Sequence, residues 1–283
     1  MSKKTSYLKG TIEKYRSSLK DCIANKESFT TITSGMSRRI VLPNGISMKY
    51  FGSQKNSSLI DGAFLVPMVQ REIDQYIELY GIPTHNEIAD VQLFNIPNIE
   101  RAIKKQQPVL GIDINACYWN TAYHLGYISN ELYERGVKKV KKQGLLISIG
   151  CLNKKPIIKT YDEGKLVSSY HDEETYNRYS PFYWNIIEVT HRLMVESYAL
   201  FKDNWYMFLT DCLFVDFEVA KDAKKFINSF NYEVKSHQIV FEKFDGRRLT
   251  WFDFKDHKEK QIHALGRDIE LISNLDKISK GIQ

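Results

Sequence analysis

Residues 205–216, with the sequence WYMFLTDCLFVD, decide how this chain folds. Two apolar runs are joined by a short polar turn, a pattern typical of buried strands. The stretch predicts a hairpin with a tight reversal at residues 210–212 and with Asp211 at its tip. A third apolar run at residues 109–115, VLGIDIN, predicts another buried strand, which ends beside Asp113. The sequence therefore places two carboxylates at the ends of buried strands.

Local patterns around these strands predict both helices and strands. An Asn-Gly pair between alternating residues predicts a hairpin over 39–50, because this pair readily adopts the tight hairpin turn. A Ser-Pro start predicts a long, largely buried helix over 180–201. The Pro- and Asn-bearing segment 95–108 is interpreted as a connector and as the main boundary of the chain. Further predicted elements are helices at 7–23, 66–80, 118–149 and 220–230, a strand or loop at 165–170, and strands at 238–244 and 248–254.

Length and composition indicate an ordinary globular protein in a reducing compartment. The 283 residues are 43% hydrophobic and 26% charged, and no apolar run approaches the roughly 20 residues that span a bilayer. The first six residues, MSKKTS, have no apolar stretch behind their lysines, which argues against a secretory signal. The cysteines lack the spacing of a zinc site or a disulfide framework, so reduced thiols in the cytoplasm, of a host cell if the chain is viral, are expected. These cysteines are Cys22, Cys117, Cys151 and Cys212.

Basic residues are concentrated in one part of the chain. The net charge is only +6, but residues 135–161 contain no Asp or Glu. This run is either a solvated helix face or a surface for a polyanion. Arg38, Arg39 and Lys49 give the same pair of interpretations, with surface charge the simpler one. The lysines of the run are Lys138, Lys139, Lys141, Lys142, Lys154, Lys155 and Lys159.

The two carboxylates at the strand ends are candidates for metal ligands. Divalent cations such as Mg²⁺ prefer oxygen ligands, and two strands at one sheet edge would bring Asp113 and Asp211 together. Two such ions stabilise the attacking and leaving oxygens of a phosphoryl transfer. The alternative is that each Asp only caps a turn, as Asp often does.

Three segments in order along the chain resemble motifs of family-B DNA polymerases. Residues 113–118, DINACY, are similar to motif A, D-x-x-S-L-Y. Residues 142–150, KQGLLISIG, keep the Lys-to-Gly spacing of motif B, and residues 209–212, LTDC, are similar to motif C, D-T-D-S. Tyr-Ser-Pro at 179–181 resembles the protein-primed phage and plasmid branch. The resemblance implies an α+β fold with a polymerase palm: a mainly antiparallel sheet backed by helices, with much reduced fingers and a small thumb-like C-terminal element.

The resemblance also implies a division of the chain and an activity. Residues 1–107 form an N-terminal region of unknown role, 108–235 the palm with reduced fingers, and 236–283 the thumb-like element. The implied activity is template-directed DNA polymerisation without a proofreading exonuclease. It would use Mg²⁺ or Mn²⁺, dNTPs and a DNA primer–template, together with other replication proteins and without a membrane.

Residue roles follow from the resemblance position by position. Asp113 and Asp211 would hold the catalytic metal ions. The backbone at Ile114 and Asn115 would cradle the triphosphate, and Tyr118 would lie under the sugar. Lys142 would neutralise the triphosphate, as a compact point charge does. The implied nucleic-acid contacts are Lys138, Lys139, Gly150, Arg247 and Arg248.

Departures from the motifs keep two other hypotheses open. Leu209 replaces the first Asp of motif C, and motif B has Leu146, Ile147 and Ile149 where polar or aromatic residues are expected. A catalytically degenerate palm that binds nucleic acid or assembles a replication complex would fit these changes. A ribonuclease-H-like nuclease is the third hypothesis, for which Glu188 and Asp216 are the candidate extra ligands.

Overall fold

The computed structural model describes residues 6–35, 37–52, 58–86 and 92–269. The chain divides into two compact units, one made of residues 1–85 and 122–185 and the other of residues 86–121 and 186–283. Residues 1–5, which carry most of the N-terminal segment considered above, and residues 270–283 of the predicted C-terminal element lie outside the described residues. The predicted division at residues 107 and 235 stays a prediction.

The described residues contain thirteen strands and eight α-helices. The strands are β1 (Ser6–Gly10), β2 (Phe29–Ser34), β3 (Ser37–Val41), β4 (Ser47–Phe51), β5 (Gln92–Phe94), β6 (Pro108–Ile114), β7 (Ile157–Asp162), β8 (Lys165–His171), β9 (Trp205–Leu209), β10 (Cys212–Val215), β11 (Val234–Phe244), β12 (Arg248–Asp253) and β13 (Lys258–His263). The helices are α1 (Ile12–Ala24), α2 (Ser58–Tyr80), α3 (Ile96–Lys105), α4 (Cys117–His124), α5 (Asn130–Lys139), α6 (Lys142–Gly150), α7 (Glu173–Phe201) and α8 (Ala220–Asn228).

The first unit is built on a six-stranded sheet with the order β1-β4-β3-β2-β7-β8. Only β1 pairs in parallel with its neighbour among these described strands. One face buries Phe29, Ile40 and Tyr50 together with Cys22 of α1. The predicted hairpin at residues 39–50 is confirmed as β3 and β4. Its turn is stabilised by Asn44, whose side chain accepts a hydrogen bond from the Ile46 amide at 3.0 Å.

Two helices of the first unit meet at a pair of glycines. A Cβ placed on Gly62 of α2 would lie 2.7 Å from the carbonyl oxygen of Gly144 in α6. The two backbones therefore approach too closely for any side chain at position 62. Gly150, at the end of α6, differs, because a Cβ there would meet nothing within 4 Å.

The second unit is built on a seven-stranded antiparallel sheet with the order β13-β12-β11-β6-β10-β9-β5. One face buries Ile112, Ile114 and Leu213 against residues of α7 and α8. The other buries Val109, Phe214 and Ile239 against α3. Since side chains alternate along a strand, Asp113 lies on the same face of β6 as Val109.

The structure confirms the α+β class and the mainly antiparallel sheets, and it corrects three local predictions. Residues 7–10, the start of a predicted helix, belong to β1, because this segment pairs with β4. The predicted connector at 95–108 contains α3, which begins after the N-cap Asn95. The helix predicted to start at Ser180-Pro181 begins at Glu173 with Pro181 inside it. The described residues contain no helix long and apolar enough to cross a membrane.

Candidate active site on the seven-stranded sheet

Asp113 and Asp211 lie at the same end of two neighbouring interior strands of the seven-stranded sheet, β6 and β10. Asp113 is the penultimate residue of β6 and is the direct cross-strand partner of Cys212 in β10. Asp211 is the second residue of the two-residue turn between β9 and β10. The amide of Ile114 donates to the carbonyl oxygen of Asp211 at 3.0 Å, which ties the turn to the end of β6. The structure thus brings the two predicted metal ligands to neighbouring backbone positions.

The turn that carries Asp211 is conformationally strained. Thr210 has a φ of +58°, a left-handed conformation that is uncommon for a β-branched residue. The amide of Asp211 donates to the carbonyl oxygen of Leu209 at 2.6 Å, and Leu209 pairs with Cys212 across the turn. Strain of this kind costs about 1–3 kcal/mol and clusters at functional sites. The surrounding strands therefore hold Asp211 in a position that the turn alone would not favour.

A lysine from a different hairpin faces Asp113. Lys255 lies in the turn between β12 and β13, and its Nζ is 3.7 Å from Oδ2 of Asp113. The side chain of Asp113 is only 14% exposed, whereas that of Lys255 is 52% exposed. The lysine thus supplies the half-buried carboxylate with a counter-charge from the solvent side. Nothing in the sequence near Asp113 marks Lys255, and sequence reasoning missed it.

A second carboxylate, Asp253, extends this charged cluster. Its side chain is 2% exposed, accepts a hydrogen bond from Lys260 Nζ at 2.6 Å and accepts another from the Lys255 amide at 2.9 Å. Burial works to raise the pKa of Asp253, but these hydrogen bonds outweigh it and the pKa is lowered. Asp253 is therefore a buried, ionised carboxylate that is paired within the chain.

His237 packs on the backbone of β6 beside Asp253. A Cβ on Gly111 would lie 2.7 Å from the ring of His237, so the ring needs glycine beneath it. Its Nε2 is 3.7 Å from Asp253, and its buried Nδ1 has no hydrogen-bond partner among the described residues. Burial lowers the pKa of His237, with Asp253 opposing the shift. The imidazole is therefore neutral near pH 7.

Three of the predicted nucleotide-binding residues, Ile114, Asn115 and Tyr118, lie at or just after the end of β6, and the amides of the first two already have partners. The amides of Ile114 and Asn115 donate to the carbonyls of Asp211 and Glu233, at 3.0 and 2.9 Å. The part of the backbone that follows is the start of α4, where a helix N-terminus favours a negatively charged group. The ring of Tyr118, in the first turn of α4, is half-buried against the core on the α7 face.

The motif-B candidates belong to the other unit. Lys138 and Lys139 end α5, and Lys142 begins α6; all three are exposed. Lys138 is paired with Glu134 at 2.7 Å, as expected for a solvated helix face. The open space at Gly150 shows that no close packing within the described residues requires glycine there. In this helix the close contact is at Gly144, which the sequence motif did not mark.

Arg247 and Arg248 lie at the far end of the second sheet from Asp113. Asp113 pairs with Lys235, and Pro108 at the other end of β6 pairs with Val240, so the turn after Phe244 lies beyond the start of β6. At about 3.3 Å per residue, the nine steps from Lys235 to Phe244 cover roughly 30 Å. The sheet does not bring these arginines to the candidate active site.

The candidate ligands of the nuclease hypothesis also lie elsewhere. Asp216 follows Val215, which pairs with Leu110, so it is at the opposite end of β10 from Asp211. Its carboxylate accepts hydrogen bonds from Tyr206 at 3.2 Å and from Gln107. Glu188 accepts a hydrogen bond from the side chain of Asn86 at 3.0 Å. Asp216 thus does not join Asp113 at its sheet edge.

The donor set fits a metal ion that arrives with a phosphorylated substrate. Across the described part of the chain, no three His, Cys, Asp or Glu side chains form a group able to hold an ion by themselves. Mg²⁺, however, is commonly bound by one or two carboxylates, with waters and substrate phosphates completing the shell. Asp113 and Asp211, at neighbouring backbone positions, would supply two such carboxylates.

Comparison with known proteins adds no assignment. No family model matches the chain, and neither a curated protein nor a solved structure is significantly similar to it.

Proposed function

We propose that this protein is a template-directed nucleotidyltransferase of the DNA polymerase type, which extends a DNA primer with dNTPs in the presence of Mg²⁺ or Mn²⁺. The observation that carries the proposal is the hydrogen bond from the Ile114 amide to the Asp211 carbonyl. It holds the backbones of Asp113 and Asp211 at the same end of neighbouring strands, and this supports the arrangement that the resemblance to the family-B palm implies. The strained Thr210 supports a functional role for the turn.

In this proposal the protein holds the reacting groups in position and supplies the negatively charged metal ligands. Asp113 and Asp211 provide oxygen ligands on rigid strand ends, which keeps the reacting groups aligned. A metal ion held there would stabilise the attacking 3′-oxygen and the leaving pyrophosphate. Lys255 would leave Asp113 as the carboxylate takes up the metal, because the two cations compete for the same oxygens.

The alternative proposal is a palm-type fold that binds nucleic acid without catalysis. Its specific support is the ion pair of Lys255 with Asp113, which neutralises a proposed metal ligand within the chain. Leu209, where the resembled motif has a carboxylate, points the same way. Contacts of such a module would be made to phosphates and would weaken with salt.

The experiment is primer extension on a labelled DNA primer–template with dNTPs and either Mg²⁺ or Mn²⁺. The parent, Asp113→Asn and Asp211→Asn are compared with the matched control Asp222→Asn, which changes an exposed carboxylate on α8. We expect extension by the parent and the control, and a loss of at least about a thousandfold in both site variants, because ligand oxygens and charge are removed.

The outcomes separate the hypotheses. Retained salt-sensitive binding to the primer–template without extension under either metal would contradict the enzyme and favour the binding module. Shortening of the primer would instead support a nuclease. Equal extension by all four proteins would exclude Asp113 and Asp211 as metal ligands.

A further inference from the structure

Two cations lie directly opposite each other in the six-stranded sheet. Arg39 in β3 is the cross-strand partner of Lys49 in β4, on the face opposite to α1, and both side chains are half-buried. Among the described residues, neither side chain is ion-paired or hydrogen-bonded. Like charges directly opposite one another destabilise a sheet, and half-buried charges without partners cost more. The fold therefore carries an unfavourable feature that its own packing does not explain.

The two cations line a cavity of about 240 Å³ within the first unit. Ser37 and Gln70 lie in its wall and can donate hydrogen bonds through a hydroxyl and an amide. The size of the cavity suits a phosphoryl group with part of the molecule that carries it. Positive charge and neutral donors thus line the same partly open cavity.

Among the described residues that line this cavity there is one carboxylate, and it already has other partners. Asp172 caps the start of α7: its Oδ1 accepts from the Thr175 amide at 3.0 Å and its Oδ2 from the Thr175 hydroxyl at 2.6 Å. Burial, and then the charge of Arg39, lower the pKa of Lys49. Burial also raises the pKa of the neighbouring Cys151 thiol, so Cys151 does not provide a negative charge at pH 7. Within the described residues of the cavity, neither cation makes an ion pair.

We infer that this cavity is a binding site for a phosphoryl group, held between Arg39 and Lys49 and carried by a polynucleotide or by a free nucleotide. Arg binds phosphate oxygens in a bidentate manner, and Lys adds a compact charge. Bound phosphate would relieve the repulsion between the two side chains. The lining residues belong to the first unit and Asp113 and Asp211 to the second, and the inference does not depend on the proposed activity.

The test measures phosphate binding and unfolding of the full chain. Thermal unfolding is followed with inorganic phosphate and with a deoxynucleoside monophosphate, and anisotropy is followed with a fluorescent oligonucleotide over a range of salt concentrations. The variant Arg39→Gln/Lys49→Met is compared with Arg16→Gln/Lys20→Met, which removes the same two charges from exposed positions on α1.

We expect the cavity variant to bind the phosphate probes about tenfold or more weakly, because charge-assisted hydrogen bonds are lost. Its unfolding temperature without phosphate should be unchanged or higher, since a repulsion is removed. The control should bind as the parent does. Tighter binding of the oligonucleotide than of the mononucleotide would assign the phosphate to a polynucleotide, and the reverse to a free nucleotide.

A second variant, Ser37→Asp, tests the same cavity even if the first does not fold. Ser37→Asp places a carboxylate two residues from Arg39 on the same strand face, where it can pair with the cations. We expect it to raise the unfolding temperature and to abolish the stabilisation by phosphate. Undiminished phosphate binding by both cavity variants, or an equal loss in the α1 control, would overturn the inference.

Discussion

In the seven-stranded sheet the half-buried carboxylate of Asp113 faces Lys255 at 3.7 Å, whereas in the six-stranded sheet Arg39 faces another cation, Lys49. Both arrangements place charges in partly desolvated positions, where an unpaired charge is unfavourable. In the seven-stranded sheet the chain supplies an ion-pair partner for the charge. In the six-stranded sheet the described residues supply none for Arg39 or Lys49. The difference indicates that a cation entering the Asp113 site must compete with an internal partner, while an anion entering the Arg39 cavity only relieves repulsion.

The largest expected effect is a loss of folding stability when Asp253 is removed from the paired charges of the seven-stranded sheet. Asp253→Ala removes the buried one of the two carboxylates paired with Lys260 and also the acceptor of the Lys255 amide, and we expect the free energy of unfolding to fall by about 3 kcal/mol. Urea denaturation measures it. The matched control is Asp256→Ala, which removes the other, more exposed carboxylate beside Lys260 and should have a much smaller effect. Equal losses in the two variants would show that burial of the pair at Asp253 does not matter.

A smaller effect is expected at Lys255, where the competition with a cation can be measured directly. Lys255→Met removes the charge that faces Asp113, so Mn²⁺ should bind about two- to fivefold more tightly, in line with the strength of an exposed ion pair. Electron paramagnetic resonance of free Mn²⁺ measures the affinity without requiring activity. Lys258→Met, on the same hairpin and exposed, is the control. Unchanged or weaker Mn²⁺ binding would contradict the competition.

The smallest effect concerns the pH dependence contributed by His237. Burial lowers its pKa in the folded chain, while Asp253 and Asp113 raise it and Lys255 and Lys260 lower it further. The unfolded chain then takes up the proton more readily, so folding stability falls as the pH drops through about 6.5, the ordinary range of histidine.

His237→Asn should flatten this decline in the free energy of unfolding between about pH 7.5 and 5.5. Urea denaturation across that range is the measurement. His257→Asn changes an exposed histidine in the turn between β12 and β13 and should leave the pH dependence of the unfolding free energy as in the parent. His124, whose pKa is also lowered by burial, accounts for a residual slope. A slope unaffected by the His237 change would refute the shift.

The sequence predicted those parts of the fold whose signals are local. The Asn44-Gly45 pair specifies its own turn, and the apolar runs on either side of Asp211 can only be buried as a hairpin. The start of α7 was missed although Asp172 and Thr175 form a cap there, because a proline further on, Pro181, gave a competing start signal. A proline is tolerated within a helix when its surroundings compensate for the lost hydrogen bond. Those surroundings come from residues distant in the chain, so the sequence around Pro181 does not reveal them.

The sequence predicts the strand ends of the candidate site but not the side chains that other strands bring to it. Asp113 and Asp211 could be placed at strand ends, but the approach of Lys255 depends on the register of β12 on β11 and of β11 on β6. The crowding of His237 over Gly111 depends on the same register. Such neighbours are separated by more than a hundred positions, and pairing of this kind follows from the whole sheet rather than from any segment.

The burial of the thiols gives the protein a natural position for a chemical label. Cys22, Cys117 and Cys212 are buried, whereas Cys151 is partly accessible and lines the cavity that contains Arg39 and Lys49. A thiol-reactive dye should therefore attach to Cys151 first in the folded chain, and slowly at neutral pH, because the raised pKa of this thiol leaves little thiolate. A fluorophore at Cys151 would report occupancy of the cavity without any engineered cysteine, and later reaction of the other three thiols would time the opening of both units.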